Sequence, residues 1–232
     1  MKRKRKTADG ILIVAAVFAG LVFLFPIFWM IRSSFMGLEE LYQTPPVIWP
    51  KMGTTKNYVE ALKQSDLLLQ FRNSCAITAL CVAGTVVSSS LTAYGFSRFE
   101  FPYKKIWFML IISTMMLPAA VTLIPQYQMW NKLHLLGTYQ GPALAIAPGT
   151  VPFIVVTLRP YFKSVPTSLD DAARIDGCGV FRSFFKIMIP AIKTGIITVV
   201  VISFLNGWND LAYSMTFNVT PEMRPLTANI YK

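Results

Sequence analysis

The residues best suited to specific work lie in one polar loop, Ser164 to Pro190, between two apolar runs. Ser168 followed by Asp171 has the spacing of a capping box, in which a hydroxyl satisfies an orphan amide of a helix's first turn. Asp170 and Asp171 also oppose the positive end of the helix dipole. Together these signals predict a short helix over about Leu169–Asp176, with Ala172 and Ala173 small enough for another backbone to approach. Gly177 and Gly179 predict a sharp turn that other residues would strain. A second short helix is expected next, because Phe181, Phe184, Phe185 and Met188 recur at i, i+3, i+4 and i+7 and form one apolar face. Pro190 marks its end or a kink. Two small helices around a glycine bend suit a docking site for another protein, and equally a loop packed on its own helices. Physical chemistry alone leaves these two readings level.

A second group sits further on, at Asn206, Trp208 and Asn209. Sugars need polar partners for their hydroxyls and a flat apolar surface for ring C–H groups, and two amides with an indole supply both. The competing reading makes Trp208 an interfacial anchor and the amides links between neighbouring helices.

Catalytic chemistry has little to build on. The one histidine, His134, has no second ligand nearby in sequence, and Cys75, Cys81 and Cys178 show neither metal-ligand spacing nor a disulfide framework. There is no G-x-S-x-G or H-E-x-x-H element, and Lys193-Thr194 lacks the glycines of a phosphate-cradling loop. The chain is therefore expected to be no enzyme and to hold no metal or cofactor. Energy for any active process must come from another subunit.

The elements that must position these residues are membrane spans. Hydrophobic residues make up 54% of the 232 and charged ones 14%, well below the roughly 25% charge of a soluble domain. The apolar residues are bunched into runs at Ile11–Ile31, Ser74–Phe96, Ile106–Ile124, about Pro142–Leu158 and about Thr194–Trp208. A helix needs about 20 residues to cross a hydrocarbon core some 30 Å thick, so the expected fold is all-α, a polytopic transmembrane bundle with five spans. Lys2 to Lys6 could open a signal peptide, but the following run is too long for one and ends in bulky Phe25, Phe28 and Trp29, so an uncleaved span is expected. The Ser- and Thr-rich second run and the fourth, with Pro148 and Pro152, are expected to face other helices rather than lipid.

With the amino terminus cytoplasmic, the inner segments 1–10, 97–105 and 159–193 hold 14 Lys or Arg against 5 acids, and the outer segments 8 against 6. Basic residues resist translocation, so this bias supports that orientation. They follow membrane sidedness rather than forming an aromatic-interleaved patch, which argues against a nucleic-acid partner. No Asp, Glu, Lys, Arg or His lies within the five runs. That counts against a proton-coupled carrier or a charged-filter channel, though not against a facilitator for neutral solutes.

Asp171-Ala172-Ala173, then Gly177, then Ile187-Met188-Ile189-Pro190 resembles the EAA loop of binding-protein-dependent ABC import permeases, which have the MetI-like transmembrane fold. Asp stands for the family's Glu at 171 and Ile for its Leu at 189, both mild departures. Phe71-Arg-Asn-Ser74, Ala93-Tyr-Gly-Phe-Ser-Arg98, Met116-Leu-Pro118, Leu123-Ile-Pro125, Leu136-Gly-Thr-Tyr139 and Trp208-Asn-Asp210 extend the likeness over nearly the whole chain. They resemble the carbohydrate-uptake branch, particularly the second permease of maltose-type importers.

The resemblance implies that Asp171, Ala172, Ala173, Gly177, Phe181, Ile187 and Pro190 belong to a coupling helix inserted into a cleft of an ATPase subunit. It implies a second homologous permease, two ABC ATPases that hold ATP and Mg2+, an extracytoplasmic solute-binding protein, and placement among lipid in the cytoplasmic (inner) membrane of a prokaryote. The expected function is import of a sugar or oligosaccharide by alternating access. An importer for an amino acid, polyamine or phosphate, or an ATP-independent facilitator, is the alternative. The expected organisation is a basic cytoplasmic segment 1–10, a permease domain 11–208 containing the loop 164–192, and an external segment 209–232. Relatives of this branch have six spans, so a sixth is expected beyond Lys232.

Overall fold

The computed structural model describes residues 2–64, 66–218 and 220–229, without the side chains of 2–9, 11, 64 and 229; most of the basic segment's side chains and the end of the segment 209–232 therefore lie outside the described residues. All regular structure among the described residues is helical. The chain divides into two compact units, Met1–Leu67 and Leu68–Lys232.

In the first unit α1 (Lys2–Ser34) carries the first apolar run as one continuous helix, with Pro26 inside it. The short α2 (Leu38–Leu41) and α3 (Lys56–Gln64) follow. The chain after α1 turns back on its end through polar bonds. Arg32 donates from Nε to the carbonyl of Ile48 at 3.0 Å, Asn57 donates to the carbonyls of Ser34 and Met36 at 2.9 and 2.8 Å, and the Ser34 and Tyr58 hydroxyls meet at 2.6 Å.

The second unit begins with α4 (Leu67–Arg98), continues through α5 (Lys104–Ser113), α6 (Ala119–Lys132) and α7 (Gln140–Ser164), and carries the polar loop on α8 (Ser168–Ile175), α9 (Val180–Ser183) and α10 (Ile189–Ala191). It ends with α11 (Lys193–Trp208), α12 (Ala212–Phe217) and α13 (Leu226–Asn229). Among the described residues, only the Leu12–Ser34 part of α1, α4 and α7 are long and apolar enough to cross a membrane singly; the expected five spans are reached when each of two bent pairs counts as one.

The third run is thus a correction. Ile106–Ile124 was expected as one span, but α5 passes into a 3-10 turn at Thr114–Met116 and meets α6 at 99°. Pro118 is the cause: it lacks an N–H and pushes the preceding residue out of the helical region, and Leu117 is extended at φ −78°, ψ 119°. The fifth run is also short, and the chain breaks ahead of it at Ile192, which leaves helical geometry at φ −103°, ψ 27°. α11 has 16 residues, about 24 Å at 1.5 Å each, and meets the segment Val180–Ala191 at 86°.

The polar second run and the proline-bearing fourth each bury one side against protein, although Pro148 is exposed. Ser74, Thr78, Thr85, Ser89 and Ser90 of α4 are buried, as are Pro152, Ile154, Val155 and Leu158 of α7. The hydroxyls of Ser88, Ser89, Thr92 and Ser97 return to carbonyls three or four residues back, which removes their need for other partners. The buried residues of α11 are Gly195, Val199, Ser203 and Gly207, a strict i+4 stripe of mostly small side chains. Such a stripe lets helix backbones approach closely in a medium where packing, not water, drives association.

At one end of α4 a polar clamp closes the unit. Asn73, fully buried, donates to the carbonyls of Glu222 and Arg224 at 2.7 and 3.1 Å and accepts the Tyr139 hydroxyl at 2.9 Å. Ser74 Oγ accepts the Leu226 N–H at 2.8 Å. Removing Asn73 takes away the partner of two carbonyls and a hydroxyl that are part-buried, at up to about 1–3 kcal/mol for each group that water cannot reach. Asn73→Ala is therefore expected to loosen the segment around Arg224, read as several-fold faster cleavage after Glu222 by a glutamate-specific protease. Unchanged cleavage would show that the clamp holds nothing in place.

Candidate coupling interface

The polar loop folds at the other end of α4, beside the end of α7. Its first helix begins one residue earlier than expected and without the expected cap. Ser168 is the first helical residue, Thr167 holds the cap position, and no side chain caps the end. The first turn is closed by backbone alone, with the N–H groups of Asp170 and Asp171 donating to the Thr167 carbonyl at 2.9 and 3.1 Å. The chain enters the helix at Thr167 already in helical geometry, which leaves no extended cap residue from which Ser168 could reach back.

The end of α8 is a Schellman turn. Cys178 N–H donates to the Ala173 carbonyl at 2.8 Å and Gly177 N–H to the Arg174 carbonyl at 3.0 Å. The turn needs a left-handed residue, and Gly177 supplies it at φ +74°. Gly179 does not share that role: it is extended at φ −70°, ψ 164°, so the expectation that both glycines make the bend holds only for Gly177.

The second helix also departs from its expected register. α9 lasts one turn and gives way to a π-helical stretch, Phe184–Met188, before α10. Pro190 has no N–H to return to the Lys186 carbonyl, which favours a wider turn here. The widening splits the expected face. Phe184 and Met188 are buried, while Phe181 and Phe185 are 70% and 60% exposed.

The loop therefore has an anchored side and a free side. Phe184 sits in an aromatic cluster with Tyr94 of α4 and Phe162 of α7, at ring distances of 5.1 and 6.3 Å. Met188 and Ile192 join the same core as Leu158 and Val199. Ala173 is the one buried residue of α8, whereas Asp171, Ala172, Gly177 and Pro190 are exposed and Ile187 is half-buried. On the free side Leu169, Ile175, Val180 and Phe181 present apolar surface, Ile175 at 86% exposure.

Charge holds the base of α8. Arg98, the last residue of α4, pairs through Nε with Asp170 Oδ2 at 3.2 Å and donates from Nη2 to the Val165 carbonyl at 2.6 Å. Sequence reasoning placed Asp170 only against the helix dipole and Arg98 only within a family-like run. The available signal was a lone arginine ending a long span next to a loop with paired acids. Nearby, Glu100 lies on the surface, and the hydrogen bond and charge of Lys104 hold its carboxyl below the usual range.

Asn206, Trp208 and Asn209 do not converge. Asn206 is exposed on α11 and Asn209 is exposed just past its end, while Trp208 is half-buried, stacked on Phe204 at 5.5 Å and edge-on to Phe71 at 5.8 Å. Just beyond, Asp210 accepts the Ser214 and Tyr213 N–H groups at 2.8 and 3.4 Å and so starts α12. Burial nevertheless pushes its carboxyl above the usual range, against those two bonds. Among the described residues no cluster of metal-ligating side chains occurs.

The family model described as "Binding-protein-dependent transport system inner membrane component" matches residues 84–221, a range that contains the whole polar loop. The chain belongs to this family. Its sulfoquinovosyl glycerol permease SmoH from Agrobacterium fabrum is 30% identical over 207 residues, covering 89% of this chain and 73% of that protein. The sn-glycerol-3-phosphate permease UgpE from Yersinia enterocolitica is 28% identical over 99% of this chain and 83% of its own. In fold, the chain is similar to a chain of a bacterial ABC transporter that imports the acidic polysaccharide alginate, with a TM-score of 0.82 at 22% identity, over 97% of this chain and 79% of that one. The chain is thus an ABC import permease, a transport subunit of the membrane.

Proposed function

We propose that this permease moves a sugar or oligosaccharide across the cytoplasmic membrane of a prokaryote by alternating access, with its amino terminus inside. It pairs with a second, homologous permease and receives its solute from an extracytoplasmic binding protein. Two ATPase subunits supply the energy; ATP and Mg2+ belong to them, and no covalent chemistry belongs to this chain. The observation that carries the reading is the two-sided loop 168–188, anchored through Phe184 and Met188 and free at Ile175, Val180 and Phe181. Asp171, Ala172, Gly177 and Phe181 are its outer face towards the ATPase, Ala173 seats the helix on the bundle, and Ile187 and Pro190 lead back to it. The sugar class is supported by the family branch and by the sulfoquinovosyl glycerol relative. Asn206 and Asn209 are offered as hydroxyl partners along the path, with Trp208 bordering it.

A second reading, a polyol phosphate as cargo, is favoured by the sn-glycerol-3-phosphate relative that spans 99% of this chain. One experiment separates the two. The permease is reconstituted in proteoliposomes with its partner subunits and ATP inside, and uptake of labelled mono- and disaccharides is compared with that of glycerol 3-phosphate. Sugar uptake that stops without ATP is the expected result. Uptake of the phosphate alone moves the cargo to the second reading, and uptake that continues without ATP refutes the coupling.

A further inference from the structure

α8 touches its own bundle at very few points. Ala173 is the one buried residue of that helix. Between α8 and the end of α4 lies a cavity of about 360 Å³, lined among others by Ser97, Arg98, Asp170, Arg174 and Ser183. Close packing therefore does not fill the gap beside α8; the loop's apolar contact with α4 lies further along, where Phe184 meets Tyr94 at 5.1 Å. At α8 itself a charged side chain reaches across. The Arg98 guanidinium holds Asp170 at 3.2 Å with one nitrogen and the Val165 carbonyl at 2.6 Å with another. Arg98 is 8% and Asp170 16% exposed at the side chain, so the pair is largely shielded from solvent. A shielded pair resists separation, because parting leaves a buried charge without its partner.

The other end of α4 gives this link a destination. Thirty-two residues of continuous helix run from Leu67 to Arg98. Near its start, Asn73 and Ser74 hold the backbone of Glu222, Arg224 and Leu226. α4 is thus a rod with polar grips at both ends, one on the coupling loop and one on the opposite face of the unit.

We propose that Arg98 is the positioning residue that ties α8 to α4, so that displacement of the coupling loop moves α4 as a unit. This rests on the reading of 168–188 as the ATPase-coupling loop and adds the path by which its motion enters the bundle. Arg98 touches neither solute nor nucleotide. Its planar guanidinium can face the Asp170 carboxylate with one nitrogen while another donates to the Val165 carbonyl, which a single ammonium does less well.

The test uses the complete transporter in proteoliposomes and reads solute imported per ATP hydrolysed, together with the amount of assembled complex. Arg98→Gln and Asp170→Asn are each expected to lower that ratio about tenfold, within the usual range for coupling between sites, with complex recovery unchanged. The double variant should be no worse than either single one, since both remove one link. Arg98→Lys keeps the charge and should recover part of the ratio. A purely structural role would reduce the amount of complex and leave the ratio alone. Wild-type ratios in both Arg98→Gln and Asp170→Asn overturn the proposal, as does a loss of transport that only tracks lost complex. Should Arg98→Gln fail to accumulate, Asp170→Asn decides by the same ratio. If wild-type protein never co-purifies with an ATPase, the coupling reading itself fails, an outcome distinct from unaltered variants in a working complex.

Discussion

Gly195→Leu and Gly207→Leu are each expected to abolish accumulation of folded protein. A Cβ built on Gly195 would stand 2.8 Å from Cγ of Tyr161 and 3.0 Å from two further ring carbons. One on Gly207 would stand 3.3 Å from the Thr78 Cα and the Cys81 Cβ. The first obstacle is the root of an aromatic ring and the second is partly backbone, and neither can swing away as a flexible chain end would. Overpacking a filled site usually costs about 1–3 kcal/mol and occasionally more. Here the insertion would also part α11 from α7 or α4 along the stripe that lets them meet. The milder Gly195→Ala should lower thermal stability of the detergent-purified protein by about 1–3 kcal/mol, and Tyr161→Ala in the same chain should restore part of it. Normal yield and melting for Gly195→Leu and Gly207→Leu would mean that α11 does not pack as described.

Gly177→Val should leave folding of the spans intact and strongly impair uptake. Nothing lies within 4 Å of a Cβ at Gly177, so the expected effect is one of backbone conformation, not of contact. At φ +74° an L-residue is disfavoured by about 1–2 kcal/mol, and a β-branched one is the least suited to that region. A preference of that size shifts the population of the native turn by a factor of about 5–30. Breaking the Schellman turn re-aims Val180 and Phe181 relative to α8. Uptake and recovery with the ATPase subunit are therefore expected to fall by about tenfold, in line with that range. Gly179→Ala is the control. Gly179 has ordinary extended geometry and open space around it, so the substitution should be silent. If Gly177→Val matches Gly179→Ala in both assays, the loop does not couple to an ATPase.

How far the sequence determined this protein is clearest in particular residues. The apolar runs, their bias of basic residues and the spacing from Asp171 to Pro190 are one-dimensional signals, because hydropathy and turn chemistry act within a few residues of each other. They sufficed for an all-α membrane fold, for the family and for the bend at Gly177, whose left-handed backbone is a local demand. The break at Leu117–Pro118 was also local, yet it was hidden inside an unbroken apolar run: hydropathy reports burial in lipid, not chain direction. Register was harder. Phe181, Phe184, Phe185 and Met188 read as one face at 3.6 residues per turn, and the π-turn ahead of Pro190 separated them into buried and exposed pairs. Which of Asp170 and Asp171 meets Arg98 could not be read at all. The partners are 72 positions apart, and their meeting depends on where α4 and α7 end relative to the loop. The Asn73 clamp spans about 150 positions and the Gly195 and Gly207 contacts join separate helices, so only tertiary packing decided them. Short-range chemistry writes itself into a sequence, while a contact between distant segments exists only once the helices have fixed their distances and angles.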